Sequence, residues 1–115
     1  MALDSNCIFC KIIEGEIPAE IVYRDDNVVA FNDLNPQAPT HVLLVPTLHV
    51  ENAAALAEAS AVVSASLLRA AKAVATERAL PGYRTVFNTG EAAGQSVFHA
   101  HMHLLGGRDF TWPPG

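Results

Sequence analysis

The sequence predicts an α+β domain built on an antiparallel sheet, and three features predict it. Short β-branched and aromatic runs recur between turn-forming clusters, the first two such runs are separated only by a turn, and an alanine-rich tract from Glu51 to Arg78 has helical periodicity. About five strands, one long helix and one short helix account for the chain. At 115 residues it has room for one core, so residues 1–115 read as a single domain with a flexible segment over 1–6 and an extended tail over 108–115.

The elements follow in order. Ile8, Phe9, Ile12 and Ile13 recur at helical offsets, and Gly15 follows as the residue that ends a short helix begun at Cys7. Ile17-Pro18 enforces extended backbone, and Ile21-Val22-Tyr23 begins a strand that Asp25-Asp26-Asn27 turns into a return strand at Val28-Val29-Ala30-Phe31. Thr40-His41-Val42-Leu43-Leu44-Val45, apolar except at its start, reads as a central strand covered on both faces and stopped by Pro46. In the alanine-rich tract Val63, Leu67, Ala70, Ala71 and Val74 share one helical face, which predicts a helix of about five turns after Ser60 and a shorter turn before it. Leu80-Pro81-Gly82 ends it, Tyr83 to Asn88 alternates like a strand, and the tail is anchored by Trp112 among prolines.

Composition narrows the function. Half the residues are hydrophobic and the formal charge is −5, so no basic stripe exists to displace counterions from a nucleic-acid polymer. No apolar run is long enough to span a bilayer, and Met1 to Asn6 lacks the charged and apolar regions of a secretory signal, so the expected compartment is the cytoplasm. There Cys7 and Cys10, the only cysteines, read as metal-binding or redox-active before they read as a structural disulfide.

Three of the five histidines alternate with apolar residues in His99-Ala100-His101-Met102-His103-Leu104-Leu105. A strand puts these three imidazoles on one face, roughly 6–7 Å apart, and sends Ala100, Met102 and Leu104 into a core. Such a row serves as a zinc site, as a nucleophile with its hydrogen-bond partners, or as a buried polar row. The preceding Gly94, Gln95 and Ser96 offer backbone N–H groups and a hydroxyl to an anion, which favours phosphate chemistry at an imidazole nucleophile.

The stretch from Gly94 to Arg108, with Trp112-Pro113-Pro114-Gly115, resembles the histidine-triad superfamily, specifically its histidine-triad nucleotide-binding (phosphoramidase) branch. Cys7 to Ile13 resembles the branch's opening, and Ala30 to Asp33 with Pro36 to His41 its central segment, so the likeness covers nearly the whole chain. The resemblance implies hydrolysis of purine nucleoside 5′-monophosphate esters and phosphoramidates through a nucleotidyl-histidine, with no cofactor required. His101 would be the nucleophile, His99 and His41 would set its tautomer and orientation, His103 would bond a phosphoryl oxygen or the leaving group, and Ser96 would help protonate the departing amine. Asp33 would accept from the ribose hydroxyls, Asn88 would contact the ribose-phosphate, and Ile8, Phe9, Ile12, Phe31 and Leu34 would form the base pocket. Some relatives close a zinc site with residues matching Cys7, Cys10, His49 and His99, which implies a structural zinc here. Branch members form two-fold dimers with one continuous sheet, so a homodimer is expected.

Rival readings are a dinucleoside polyphosphate hydrolase, a nucleotide-binding module without catalysis, and a zinc hydrolase using all three triad histidines as ligands. Against the first, such enzymes usually follow the triad with a Pro-Arg segment where this chain has Gly106-Gly107-Arg108.

Overall fold

Period-two alternation along five short strands sets the architecture. The computed structural model describes residues 4–115, so the expectation for residues 1–3 lies outside the described residues. The strands β1 (Ile21–Arg24), β2 (Val28–Asn32), β3 (Thr40–Pro46), β4 (Tyr83–Val86) and β5 (Met102–Gly106) form one antiparallel sheet in the order β1-β2-β3-β5-β4. Three helices complete the domain: α1 (Ile8–Ile13), α2 (Ala53–Ala59) and α3 (Ala61–Glu77).

Each helix begins on a residue whose side chain accepts a backbone N–H that the first turn leaves free. Cys7 Sγ takes the N–H of Cys10, Asn52 that of Ala55 and Ser60 that of Val63. Ser60, in extended conformation, also closes α2 by donating its N–H to Leu56 O, so one residue separates the long helix from the shorter turn expected before it. Gly15 has φ +81, the left-handed conformation that ends α1. Gly107 has φ +89, and a Cβ there would lie 2.8 Å from Pro39 Cβ, so the bend after β5 has room only for glycine.

The sheet has two unlike faces. On one, Val28, Ala30, Val42, Leu44, Met102 and Leu104 pack with Leu67, Ala70, Ala71 and Val74 of α3. On the other, Val29, Phe31, Leu43 and Val45 meet Phe9 and Ile12 of α1. The histidines of the sheet belong to this second face, because His103 alternates with Met102 and Leu104 and His41 with Val42.

The histidine strand is shorter than expected. Pairing between β3 and β5 stops at Leu44 with Met102, and two residues further the register would set Ala100 against Pro46, which has no N–H to give. The Pro46 carbonyl is taken instead by the His99 ring at 2.8 Å, and Ala100 N–H turns to Val50 O. His99, at a bend, and His101 therefore lie outside the ladder, although Ala100 and Met102 still enter the α3 core.

Two other expectations shift. Asp4 to Asn6, within the segment expected to be flexible, form a turn in which Cys7 N–H donates to Asp4 O. In the tail Trp112 is 83% exposed. Phe110 is the aromatic anchor, lying beneath the guanidinium groups of Arg84 and Arg108 at 5.0 and 4.3 Å.

Candidate active site

Backbone groups fix the tautomers of the histidines. His101 Nδ1 lies 2.8 Å from the carbonyl oxygen of His99, which only accepts, so Nδ1 carries the proton and Nε2 keeps its lone pair. His41 Nδ1 accepts the N–H of Gln37 at 3.0 Å, so its proton is on Nε2, 2.9 Å from His103 Nδ1. His103 accepts that proton at Nδ1 and so presents an N–H at Nε2. The His101 and His103 rings neighbour each other at 5.1 Å between centroids. One ring thus offers a bare lone pair beside another that offers a donor.

Burial keeps His103 and its partner His41 uncharged. Burial pushes His103 down to about 4, helped by the neighbouring His101 and His41. Burial also lowers His41, against the opposing pull of Asp33. Asp33 Oδ2 lies 3.4 Å from His41 Nε2, and its Oδ1 accepts the N–H of Asn35 in the turn after β2.

Four other ligand atoms converge at the start of α1. Cys7 Sγ, Cys10 Sγ, His49 Nδ1 and His99 Nδ1 lie within 4.8 Å of one another. His99 Nδ1 is 3.5 Å from each sulfur and 3.0 Å from His49 Nδ1, which is 3.3 Å from Cys10 Sγ. A tetrahedral zinc with bonds of about 2.3 Å to sulfur and about 2.0 Å to nitrogen separates its ligand atoms by roughly 3.3–3.8 Å. The donor set fits zinc in chemistry and in spacing. Its outer groups fit too: His99 Nε2 donates to Pro46 O at 2.8 Å, leaving Nδ1 free to ligate, and His49 Nε2 faces Asp4 Oδ2 at 4.0 Å. Burial holds His99 down at about 4 and pushes the Cys10 thiol up to about 11. A bound cation reverses the cost that burial imposes on a thiolate.

Asp33, His41 and His103 also bring three ligand atoms within 4.8 Å. Because Gln37 N–H occupies His41 Nδ1, the neutral ring carries its proton on the very nitrogen that a metal would need. That trio is built for hydrogen bonding. Nor does any ligand cluster among the described residues contain all three triad histidines, which removes the geometry required of a zinc hydrolase.

Residues 14–110 match the HIT domain family. The chain belongs to the histidine-triad (HIT) family. It falls in the HINT-like branch: it is 44% identical over 115 residues to "Adenylylsulfatase HINT1" of Arabidopsis thaliana, covering 97% of this chain and 78% of that protein. It is 49% identical over 115 residues to a "14 kDa zinc-binding protein" of Zea mays, covering 97% and 90%. Among solved structures, a HIT family hydrolase from Legionella pneumophila is 48% identical with a TM-score of 0.91, covering 96% of this chain and all of that one. The α+β HIT fold with its five-stranded antiparallel sheet is thereby shown.

In this HIT protein the triad is arranged differently from the expectation in one respect. The rings of His99 and His41 do not bond His101; the main-chain oxygen of His99 does, while the His99 ring faces the cysteines and His41 bonds His103. Backbone carbonyls leave no mark in side-chain spacing, so only the structure could reveal this. The HIT loop departs as well. Gly94 N–H donates to Glu91 O and Gln95 N–H to Gly90 O, closing the turn and leaving neither for an anion. The Gln95 side chain is buried and ties Gly90 N–H, Glu51 O and Val97 O together. Ser96, exposed beside them, has no hydrogen-bond partner among the described residues.

Of the expected base pocket, Phe9, Ile12 and Phe31 come together. Leu34 is fully exposed and Ile8 is 47% exposed, so neither packs with them. Asn88 is half-buried just beyond β4. Sequence reasoning missed a further use of Phe9, whose ring meets the His101 ring edge-on at 5.0 Å and the His99 ring at 6.0 Å.

Proposed function

We propose that the protein hydrolyses P–N bonds, and related P–O bonds, of purine nucleoside 5′-monophosphate derivatives through a nucleotidyl-His101 intermediate. The observation that carries this reading is the bare Nε2 of His101, created by the 2.8 Å bond from Nδ1–H to the His99 carbonyl. In the first step Nε2 attacks phosphorus and the bond to the leaving amine breaks, with Ser96 supplying a proton to the amine. Nδ1–H stays on the carbonyl, which stabilises the positive charge that builds on the ring. His103 Nε2–H, held by His41 and held neutral by burial, donates to a phosphoryl oxygen. Water then attacks phosphorus and returns a proton to the Ser96 oxygen, the P–N bond to His101 breaks so that it leaves as a neutral ring, and the nucleoside monophosphate is released. Asp33 binds the ribose hydroxyls, Asn88 the ribose-phosphate, and Phe9, Ile12 and Phe31 line the base.

The test is turnover of a fluorogenic adenosine phosphoramidate by the wild type and by His101→Ala. Turnover lost in the variant supports the reading. A wild type that binds AMP without turning over the amidate would instead make the protein a nucleotide-binding module.

The Arabidopsis relative named an adenylylsulfatase supports a second reading of the leaving group. The same attack on adenosine 5′-phosphosulfate expels sulfate, which needs no proton, so loss of the Ser96 hydroxyl would slow amidate cleavage and spare phosphosulfate cleavage.

A structural zinc on Cys7, Cys10, His49 and His99 completes the proposal, on the donor geometry and on the likeness to a zinc-binding relative. When bound, zinc supplies a cross-link between the start of α1, the chain that follows β3 and the chain that leads into β5. A homodimer is also proposed: β4 is an outer strand of the sheet, and Val62, Leu68, Tyr83 and Phe87 leave apolar surface exposed on α3 and on β4 and its continuation.

A further inference from the structure

Cys7 and Cys10 stand in a place that catalysis does not explain. They lie at the start of α1, and two routes lead from them to the nucleophile. The first runs through His99, whose ring Nδ1 faces both sulfurs at 3.5 Å while its carbonyl oxygen holds His101 Nδ1 at 2.8 Å. The second runs through α1 itself, because Phe9, between the two cysteines, sets its ring edge against His101 and His99. Whatever holds the sulfurs therefore also holds the groups that orient the nucleophile.

The two thiols differ in access. Cys10 is fully buried, whereas Cys7 is half-buried and lines a surface cavity of about 350 Å³ with Asp4, Asn6, Ser96 and Phe98. Cys7 Sγ also accepts Cys10 N–H at 3.4 Å, which fixes it at the start of α1 beside the second thiol. A small oxidant can reach Cys7, and Cys10 stands behind it as the resolving thiol.

We propose that Cys7 and Cys10 are an oxidation site that switches the HIT centre, with hydrogen peroxide or a related hydroperoxide as the oxidant and loss of the metal as the signal. The proposal of zinc on these ligands underlies it. Cys7 thiolate attacks one peroxide oxygen, the O–O bond breaks, and hydroxide leaves to give a sulfenic acid. Cys10 thiolate then attacks Cys7 Sγ, the S–O bond breaks, and a second hydroxide leaves. The two sulfurs give up two electrons to the peroxide, the hydroxides are protonated to water, and the zinc ion, stripped of two of its four ligands, dissociates. Without the metal the His99 ring and Phe9 lose their fixed positions, and His101 loses the carbonyl that sets its tautomer.

The experiment titrates full-length, zinc-loaded protein with hydrogen peroxide and follows four signals. These are zinc captured by a chromogenic chelator, intact mass, the long-range ¹H–¹⁵N NMR pattern of the His101 ring, and phosphoramidate turnover. Expected are release of one zinc per chain, a mass two hydrogens below the reduced apoprotein, a His101 pattern no longer that of a single Nδ1–H tautomer, and turnover at least tenfold lower. Dithiothreitol with added zinc should restore all four. Cys7→Ser should block disulfide formation, and chelator-stripped, reduced wild type should show the same His101 change without a disulfide.

Zinc release that leaves the His101 pattern intact would overturn the coupling. Oxidation that leaves zinc bound, or adds oxygen without closing the disulfide, would overturn the switch. If the protein never turns over the amidate, the proposed activity fails, while zinc, mass and NMR still decide the switch.

Discussion

The two faces of the sheet are cut from the same strands yet do opposite things. Toward α3 the core is apolar throughout, with Tyr23 at its margin, and Val28, Ala30, Val42, Leu44, Met102 and Leu104 are essentially fully buried. Toward α1 lie His41 and His103 of the same strands and His101 just before β5, beside Phe31 and Leu43. Strand alternation makes this division possible, since neighbours along one strand enter different solvents. The α3 face can be packed to the density of a core without regard to chemistry, whereas the α1 face must leave nitrogen lone pairs within reach of a ligand. Stability and activity should therefore separate by face.

The largest test of that separation is His101→Ala. Removing the nucleophile should lower phosphoramidate turnover by about 10³-fold or more. The urea midpoint should scarcely move, because His101 is not part of the α3 core. A large loss of stability in this variant would mean that the triad face also carries the fold.

Leu67→Ala is the mirror experiment. Leu67 is fully buried between α3 and the sheet, and truncating such a leucine costs about 2–5 kcal/mol. Urea unfolding should show that loss, while turnover per folded molecule stays at the wild-type level. Reduced turnover in the folded fraction would mean that packing on the α3 face reaches through the sheet to the histidines.

How legible these two faces were in the sequence differs sharply. The α3 face was almost fully legible, since Leu67, Ala70, Ala71 and Val74 recur with helical period and Val42 and Leu44 with strand period. The α1 face was legible in its residue types but not in its bonds. Nothing in the spacing of His41 and His103 says that Gln37 N–H fixes one and thereby the other, nor that the carbonyl of His99 outranks its ring in holding His101. The shortened β5 followed from Pro46 on a neighbouring strand, a partner that only the tertiary register identifies. The exposure of Leu34 was not legible for a related reason: it lies in the turn after β2, where an apolar residue need not be buried.

Between pH 7 and pH 4.5 acid should act chiefly through the buried histidines of the α1 face. His103 takes up its proton at about 4 in the folded protein, against an ordinary value of 6.5, so between these values the unfolded chain binds a proton that the folded chain refuses. Stability is thus fully present above pH 6.5 and falls as pH drops towards 4. For a half-buried ring the loss should be about 1–2 kcal/mol once solvent screening is discounted. Urea unfolding at pH 7 and pH 4.5 measures it, and His103→Asn should remove the His103 share while leaving that of His99, which burial also holds down at about 4. Leu67→Ala should lower both curves equally and leave their difference unchanged.

The smallest effect tests the boundary of the α3 layer. Ser60 is the joint between α2 and α3: its Oγ accepts Val63 N–H at 3.1 Å, its own N–H donates to Leu56 O, and its carbonyl accepts from Ser64. Ser60→Ala keeps both backbone bonds and removes only the cap, leaving one N–H of the first turn without its partner. Loss of such a cap costs about 1 kcal/mol. Ser60→Asn, which restores an acceptor, should recover most of the lost stability in urea unfolding. Turnover should be the same in all three proteins, because the α3 helix meets the sheet through its apolar face and Ser60 lies at the end opposite Arg78, whose guanidinium bonds Asn32 and Thr40. A parallel fall in turnover and in stability, both rescued by asparagine, would place the α2–α3 joint in the pathway that positions the histidines, and the two faces would no longer be separable.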